Sequence, residues 1–438
     1  PPPPPSPAGD GKKPDGKPAA FVTEFLVLDP IPAKAQPSVF VRLPRDIDPN
    51  TVAVDLSALT SPLVRLSGRH TWFRGFEVRH GASYQQRALV DASAPGALLE
   101  GCRIHDGEVR GIALSAKSEP DQPPLIIRGN HVARTGHLGI GGIGNSAAEA
   151  SAENQAAPAA VAAIIEHNLV EDTNWAGYSQ LWESGGIKLL RLVGAQIRFN
   201  HIRRSGLGIW LDWENYGNRI ESNLFEDTAA FAIGIEASPG PNLAANNIVL
   251  GLSPGPVWFR AGLLTWDGTR TQFIHNLVDT RGLAGTRWQG GDTAYGYSHG
   301  NNTTTRRTRW CPLPPPRQMT FLNNVSLGAR NAIVTRAVET LNAGNATDHG
   351  RGAKPLPGLQ SLPLGAPGDY AARLAAVAPA AASHPQADAV TFDYFGLPRH
   401  APGVPAIAGP FRAPLPPPPA ASVLEIEFSD TTITRHEY

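Results

Sequence analysis

Residues 182–241 repeat one pattern three times, and this repeat constrains the fold more than any other feature. The segments GGIKLL, LGIWLD and AIGIE align with one another, and AQIRFNHI, NRIESNLF and PNLAANNI form a second aligned set. Equivalent residues are 24 positions apart between Ile209 and Ile233, and 23 between Asn200 and Asn223. Such a period is typical of one turn of a right-handed parallel β-helix, whose short strands stack at about 4.8 Å. We therefore predict an all-β, single-stranded solenoid of about nine or ten coils, with loop insertions and a Pro-rich C-terminal extension.

The alternation of side chains within each repeat predicts which residues line the core. In GIWLD, Ile209 and Leu211 are predicted to point into the solenoid, whereas Trp210 and Asp212 point outward. The same parity in AIGIE places Glu236 on the outer face. Asp212 and Glu236 are therefore predicted to be neighbours on adjacent coils of one outer face.

A column of mostly asparagine residues recurs at one position of the repeat. An inward asparagine at a repeated turn can hydrogen-bond its equivalents above and below, and it tolerates the left-handed backbone conformation of sharp corners. We predict that the column is structural. Its members are Phe76, Cys102, Asn130, Asn168, Asn200, Asn223, Asn247, Asn276 and Asn324.

Gaps longer than one repeat mark insertions, which in a solenoid become loops that often lie over the binding face. The predicted loops lie at 141–160, 172–184 and 284–318. DYAARLAAVAPAAA, in the capping segment, predicts a short helix. The predicted regions are a disordered Pro-rich tail at 1–20, entry strands and a cap at 21–63, the parallel β-helix at 64–365, and a C-terminal capping extension at 366–438.

Composition narrows the classes of partner. The 38 basic and 38 acidic residues cancel, and the chain lacks the basic stripe that binds a phosphate backbone, so nucleic acid is not an expected partner. No apolar run reaches the roughly 20 residues of a membrane span, and no signal-peptide pattern is present. Cys102 and Cys311 show neither a disulfide framework nor metal-ligand spacing, and we expect two buried or free thiols.

Charge on the predicted outer column concentrates at Asp212 and Glu236. Carboxylates one coil apart are separated by about 5 Å at the backbone, which glycoside hydrolysis can use. One group, kept protonated by its like-charged neighbour, would donate to the leaving oxygen while the other acts as nucleophile or activates water. We predict Asp212 and Glu236 as the catalytic pair. The alternatives are a Ca²⁺ site, which needs more than two oxygen ligands, and a solvated surface pair; no other cofactor is predicted.

Tryptophan residues cluster around this pair, since seven of the nine fall in the central coils and their insertions. Exposed aromatic side chains cost solubility unless they have a partner, and sugar rings stack on flat aromatic faces. We therefore predict a groove that binds a polysaccharide or oligosaccharide. The predicted substrate-binding residues are Trp182, Glu183, Lys188, Trp210, Trp213, Arg260, Trp266, Asp267 and His299.

Several segments resemble bacterial right-handed parallel β-helix repeat proteins of the pectate-lyase-like superfamily, in the branch similar to β-helix glycoside hydrolases. These segments are SGGIKL, GIWLDWENYGNRIESNLFED, IEASPGPNLAANNIVL, TAYGYSH and DYFGLPR with AGPF, and the likeness runs from about Val64 to Phe411. Many relatives carry an acidic residue and HGP one coil after GIWLDW, where this chain has EASPGP. The resemblance implies a secreted or periplasmic carbohydrate-active protein, with Asp212 and Glu236 where relatives carry acids.

Three functions stay open at this point. The first hypothesis is a glycoside hydrolase with a paired-carboxylate mechanism. A polysaccharide lyase would instead abstract the proton α to a uronate carboxylate, with Lys188, Arg260 or His299 as base and usually a Ca²⁺ ion. The third is a non-catalytic extracellular solenoid that is structural or binds glycans.

Overall fold

The structure is a computed structural model in which the chain divides into two compact units, residues 1–58 and 59–438. In the first unit the strands Glu24–Leu28 and Ser38–Arg42 form an antiparallel hairpin, and Pro49–Thr51 form a 3₁₀ helix. The predicted tail at 1–20 lies outside the described residues. These are residues 24–28, 38–42, 48–51, 62–83, 86–145, 160–178, 183–253, 261–280, 295–299, 317–329, 331–335, 337, 339–348, 354–355, 374, 380–400 and 407–412.

The second unit is built from three parallel β-sheets, and each coil contributes one strand to each sheet in turn. Sheet 1 consists of Val64–Leu66, Ala88–Ala92, Arg110–Ser115, Leu138–Ile143, Gly185–Leu190, Ile209–Asp212, Phe231–Glu236, Ala261–Trp266, Tyr295–His299 and Asn331–Val334. Sheet 2 consists of Trp72–Arg74, Leu98–Glu100, Leu125–Arg128, Ala163–Glu166, Gln196–Arg198, Arg219–Glu221, Asn242–Ala245, Thr271–Ile274, Thr320–Leu322 and Leu341–Ala343. Sheet 3 consists of Glu77–Arg79, Arg103–Gly107, His131–Thr135, Leu169–Glu171, His201–Arg203, Leu224–Ala229, Ile248–Ser253, Leu277–Asp279, Val325–Leu327, Ala346–Thr347 and Lys354–Pro355.

These strands make ten coils within the described residues, which confirms the parallel β-helix predicted from the repeat. The first strand of sheet 1 begins at Val64, where the solenoid was predicted to begin. Two boundaries need correction. Leu138–Ile143 is a strand of sheet 1 that covers the start of the loop predicted at 141–160, and Tyr295–His299 is a strand of sheet 1 inside the stretch predicted as a loop at 284–318. The second of these strands was missed because the column residues Asn276 and Asn324 are far apart in the sequence. A long connection lies on each side of the strand.

Aliphatic side chains at alternate positions fill the inside of the solenoid. Ile209 and Leu211 are fully buried, and Ile233 and Ile235 occupy the same register positions one coil later. Burying one such side chain contributes about 1.5–3 kcal/mol, so the stacked columns favour the assembly of successive coils. The predicted inward and outward parity is confirmed.

An asparagine ladder runs along the corner between sheets 2 and 3. Asn223 Oδ1 accepts hydrogen bonds from the backbone N and from Nδ2 of Asn200, both at 3.0 Å. Asn223 Nδ2 donates in turn to Asn247 Oδ1 at 3.0 Å and to the Ile197 carbonyl at 2.9 Å. The predicted column is therefore structural, and Asn345 extends it by one coil. The ladder members are Asn130, Asn168, Asn200, Asn223, Asn247, Asn276, Asn324 and Asn345.

The left-handed residue at this corner is the one before each ladder position, not the asparagine itself. Ser222 has φ 55° and Phe199 has φ 54°, and His167 and His275 fill the same place in their coils. Tolerance of the left-handed conformation is therefore not the reason that asparagine occupies the ladder position. The N–H group of each asparagine must instead point along the stacking axis, because it donates to the Oδ1 atom of the next coil.

The C-terminal extension lies along the outside of the solenoid. Ala387 packs in one apolar cluster with Ile274 of sheet 2, and Phe411 packs in another with Ile248 of sheet 3. The described helix is Pro385–Asp388. The predicted helix in DYAARLAAVAPAAA falls mostly outside the described residues.

One buried cation anchors this extension. Arg399 is fully buried, and its Nη2 and Nη1 atoms donate to Asn246 Oδ1 at 2.6 Å and to the Phe411 carbonyl at 3.0 Å. Burial lowers the pKa of Arg399 to about 10, and the nearby Asp393 carboxylate opposes this shift. The guanidinium is therefore still charged at neutral pH, and its two bonds hold the extension to a corner of the solenoid.

Glu171 is the centre of an ion-pair network on the outer side of sheet 3. Its Oε1 atom lies 2.8 Å from His131 Nε2, and its Oε2 atom accepts hydrogen bonds from Arg203 Nε and Arg204 Nη2 at 2.6 Å each. Burial raises the pKa of Glu171, but these three partners together outweigh burial and hold the pKa well below the usual 4.5. Because the folded pKa lies below the unfolded one, the stabilisation is present above about pH 4.5 and is lost as the pH falls further.

We expect Glu171→Gln to lower the free energy of unfolding by about 1–3 kcal/mol at neutral pH, because it removes the charge that three partners bind. The difference from wild type should shrink as the pH falls below about 4.5, because the unfolded chain then binds a proton that the folded Glu171 carboxylate binds only at lower pH. Urea unfolding at several pH values measures both effects. Glu119→Gln, at a position whose side chain is 41% exposed, should change stability by less than about 0.5 kcal/mol, and a Glu171→Gln deficit that does not vary with pH would contradict the prediction.

Candidate active site on the outer face of sheet 1

Asp212 and Glu236 lie at equivalent places on adjacent coils. The strands Ile209–Asp212 and Phe231–Glu236 pair in parallel register, and this register brings their final residues side by side. Neighbouring strands are about 4.8 Å apart. Trp266 pairs with Glu236 one coil further on. This register agrees with the prediction that Asp212 and Glu236 occupy equivalent positions on adjacent coils.

Two side chains of the following turns hold the backbone at this pair. Asn215 Nδ2 donates to the Asp212 carbonyl at 2.5 Å, and Ser238 Oγ donates to the Glu236 carbonyl at 2.7 Å. The two turns are joined, because the Asn215 N–H donates to Ser238 Oγ at 3.1 Å. These two residues were not predicted from the sequence, although each follows its carboxylate within three positions and could have been found from that spacing.

Lys188 neutralises the first carboxylate of the pair. It lies one coil before Trp210 in register, as predicted, and its Nζ atom is 2.8 Å from Asp212 Oδ2 and 3.7 Å from Glu183 Oε1. Only 8% of the Lys188 side chain and 15% of the Asp212 side chain are exposed. Asp212 Oδ1, in contrast, has no hydrogen-bond partner among the described residues. One carboxylate oxygen is thus held by a cation while the other forms no hydrogen bond to the described protein.

Glu183 connects Lys188 to a second cation. Its Oε2 atom accepts a hydrogen bond from Arg110 Nη2, and its Oε1 atom accepts one from Gln86 Nε2 at 3.3 Å. Burial lowers the pKa of Arg110, and the Glu183 carboxylate opposes that shift. Charges of alternating sign therefore run across the face from Arg110 through Glu183 and Lys188 to Asp212.

Trp210 points away from the core but is not exposed. It is 5% exposed, and the Lys188 Nζ atom lies 4.1 Å from the centre of its ring. Phe231 and Trp266 pack beside it, with ring centres 6.1 and 5.9 Å from its own. The expectation of an exposed Trp210 was wrong, because parity gives the direction of a side chain but not what covers it. The Trp210 ring thus packs against the Lys188 ammonium group.

The other described aromatic and acidic residues surround the pair. Trp266 and Trp213 are partly exposed, and Trp213 packs against Ala237. Asp267 follows Trp266 directly, is 8% exposed and has φ 53°. The structure thus brings these predicted residues to the C-terminal ends of the same sheet-1 strands.

Three predicted residues are not brought to the pair by the described structure. Trp182 and Arg260 lie outside the described residues. His299 ends the strand Tyr295–His299, where its backbone pairs with Thr265 rather than with Trp266. Its predicted substrate contact stays a prediction.

A cleft of about 300 Å³ lies on the same outer face, on the coils before the carboxylate pair. Ala113 and Gly141, which precede Lys188 in register, lie on the same column as Lys188, and Arg65 and Arg87 lie among the lining residues. This cleft was not predicted from the sequence, because its charged residues are spread over coils in which the repeat is weak. Extending the Lys188 column backwards would have located Ala113 and Gly141.

Asp212 and Glu236 supply two carboxylates, and among the described residues no group of three or more His, Cys, Asp or Glu side chains is placed to hold a metal ion. No helix in the described part of the chain is long and apolar enough to cross a bilayer.

We expect Lys188→Met to lower the free energy of unfolding by about 3–5 kcal/mol, because it leaves the largely buried Asp212 carboxylate without its cation. The double variant Lys188→Met with Asp212→Asn should recover part of that loss, since no charge is then left unpaired at Asp212. Urea unfolding of the two single variants and the double variant measures the coupling. Additive losses would show that the ion pair does not stabilise the fold.

A match to a family model agrees with this architecture. A family model for a right-handed β-helix region matches residues 144–278. No curated protein matches the chain. Among solved structures, the chain is similar to the complex structure of XylC with xylose, at 18% sequence identity and a TM-score of 0.46, over 66% of this chain and 52% of that one. The chain therefore spans about half the length of that solved protein.

Proposed function

We propose that this chain, a right-handed parallel β-helix protein, is a carbohydrate-active enzyme that hydrolyses a glycosidic bond in a polysaccharide or oligosaccharide. The observation that carries the proposal is the pairing of Asp212 and Glu236 in register, with Asp212 bound to Lys188. Two neighbouring carboxyl groups, one of them bound to a cation, suit a reaction that needs one acid and one base.

The ion pair of Asp212 with Lys188 suggests the role of each group. Asp212 is bound to a cation and has an oxygen without a described partner, so it takes the ionised role, as nucleophile or as the base that activates water. Glu236, one coil further, donates its proton to the leaving oxygen as the bond to the sugar breaks. A separation near 5 Å between the carboxyl groups would favour retention, and a wider one would leave room for water and favour inversion.

The partly exposed Trp266 and Trp213 are proposed to stack on sugar rings beside the pair. Lys188 and Trp210 act through Asp212 by holding its carboxylate in place. Glu183, Asp267, Trp182, Arg260 and His299 complete the proposed binding residues.

A second candidate function is polysaccharide lysis by β-elimination. The cationic side chains near the pair favour it, because an elimination needs a positive group to bind the uronate carboxylate and a base to abstract the α proton. The ion pairs of Lys188 and Arg110 with carboxylates argue for structural roles of those two cations instead.

An assay of reducing ends together with ultraviolet absorbance, over a panel of neutral and acidic polysaccharides, tests the proposal. New reducing ends without absorbance would support hydrolysis, and new reducing ends with an absorbing unsaturated product would support the lyase. A parallel assay with a chelator tests whether Ca²⁺ is required. Glycan binding without any product would instead favour a non-catalytic solenoid.

A further inference from the structure

The cleft before the carboxylate pair is a separate cavity on the same face. Its walls span the strands from Val64–Leu66 to Gly185–Leu190, five neighbouring strands that cover about 19 Å of the stacking axis. It borders a second cleft of about 250 Å³, because Ser93 and Ser115 line both. A chain molecule lying along sheet 1 would therefore contact the cleft and the carboxylate pair together.

Small side chains create this cavity. Ala113, Gly141 and Lys188 are successive members of one outward column. A Cβ atom at Gly141 would lie 2.7 Å from Leu138 Cδ2 and 3.2 Å from Arg110 Nη1, so any larger residue would have to displace these side chains. Gly141 therefore leaves a space in the bottom of the cleft, at the column position that Lys188 occupies on the next coil.

The lining of the cleft carries more positive than negative charge. Lys188 and Arg110 are bound to carboxylates, and Arg65 lies 3.9 Å from Asp91. Arg87 is exposed and forms no ion pair with a described residue. Burial raises the pKa of Asp91, although the three arginines oppose it, which limits the negative charge on this wall. The charged lining residues are the cations Arg65, Arg87, Arg110 and Lys188 and the acids Asp91 and Glu183.

We propose that the cleft is an accessory subsite for an acidic sugar unit, carrying a carboxylate or a sulfate, with Arg87 and Arg65 as its anion-binding residues and Gly141 as the residue that makes room. The subsite rests on the proposed function only in that the same glycan continues to Asp212 and Glu236. A cavity of about 300 Å³ is at the lower end of the range for small-ligand sites, which suits a short segment of a glycan.

Direct binding tests the subsite. Isothermal titration of the wild type and of Glu236→Gln uses uronate oligosaccharides and the same oligosaccharides after carboxyl reduction, and sulfated oligosaccharides and their desulfated forms. We expect at least one acidic form to bind about tenfold more tightly than its neutral counterpart, with weaker binding at high salt. The carboxylate and sulfate pairs distinguish the two possible acidic groups.

Three variants locate the binding. Arg87→Gln should weaken binding of the acidic form about three- to tenfold. Gly141→Leu should weaken it at least as much, because the leucine side chain would occupy the bottom of the cleft. Arg69→Gln makes the same charge change at an exposed position that does not line the cleft, and it should bind like the wild type. Thermal unfolding of each variant confirms that the fold is retained.

Some results would overturn the subsite. Equal affinity for acidic and neutral forms would do so, as would equal losses in Arg87→Gln and Arg69→Gln, or no binding of any acidic form. Cleavage of neutral glycans without acid preference would leave the proposed function standing and remove the subsite. Arg87-dependent binding without cleavage would retain the subsite and remove the proposed hydrolysis.

Discussion

Asp212→Asn is expected to lower kcat for glycan cleavage by about 10²–10⁴-fold, because it removes the group proposed to attack the sugar or to activate water. The amide keeps the shape of the side chain and its place at the end of the strand. Lys188 loses a charged partner but keeps Glu183 at 3.7 Å and the Trp210 ring beneath it. The loss should therefore appear in kcat far more than in folding.

Glu236→Gln should give a different pattern from Asp212→Asn. An amide cannot donate a proton to a leaving oxygen, so natural glycans should be cleaved about 10²–10⁴-fold more slowly. Aryl glycosides with acidic leaving groups should lose much less, because their leaving oxygen needs little protonation. Steady-state kinetics on both substrate types measures the contrast.

Glu221→Gln is the matched control for these variants. Glu221 lies on the same coil as Asp212 but on sheet 2, where it pairs with Arg219 at 2.7 Å. Its activity should equal that of the wild type. If Asp212→Asn and Glu236→Gln are as active as Glu221→Gln, the catalytic assignment is wrong.

Asn223→Ala is expected to lower the free energy of unfolding by about 3–5 kcal/mol. The change removes the acceptor for two Asn200 groups and the donor to Asn247 Oδ1 and the Ile197 carbonyl, all in a fully buried corner. Each buried polar group left unpaired costs about 1–3 kcal/mol, and partial relaxation reduces the sum. Urea and thermal unfolding of the whole chain measure the loss.

Asn145→Ala provides the comparison for the ladder variant. Asn145 is exposed, and its Oδ1 atom accepts one hydrogen bond, from the Ser118 N–H at 3.3 Å. We expect a change in stability below about 0.5 kcal/mol. Similar losses in Asn145→Ala and Asn223→Ala would mean that the ladder contributes no more than an ordinary surface amide.

The fold could be predicted because its information is local and repeated. Every coil shows the same alternation of inward and outward side chains, so a wrong assignment in one coil can be corrected by comparison with the next. Parity placed Ile209 inside and Asp212 outside, and the period placed Asp212 beside Glu236. The asparagine column followed from the same argument, because the buried polar group in every coil needs a partner at the spacing of the sheet.

The environment of the site could be predicted only in part. The burial of Trp210 depends on side chains from other coils, which pack over it, and parity contains no information about them. The cleft depends on Gly141 lacking a side chain where Lys188 has one, and on Arg110 reaching Glu183, 73 residues later. Such contacts are made between residues that are not equivalent positions of the repeat, so the repeat cannot predict them.

The linear order of the face, from Arg65 at one end to Trp266 at the other, has an evolutionary consequence. Duplication or deletion of one coil before Gly185–Leu190 would lengthen or shorten the surface available to a ligand by about 4.8 Å while leaving the strands of Asp212 and Glu236 in the same register. The length of ligand that such a protein contacts could thus change by one coil at a time, without a change in the residues that react.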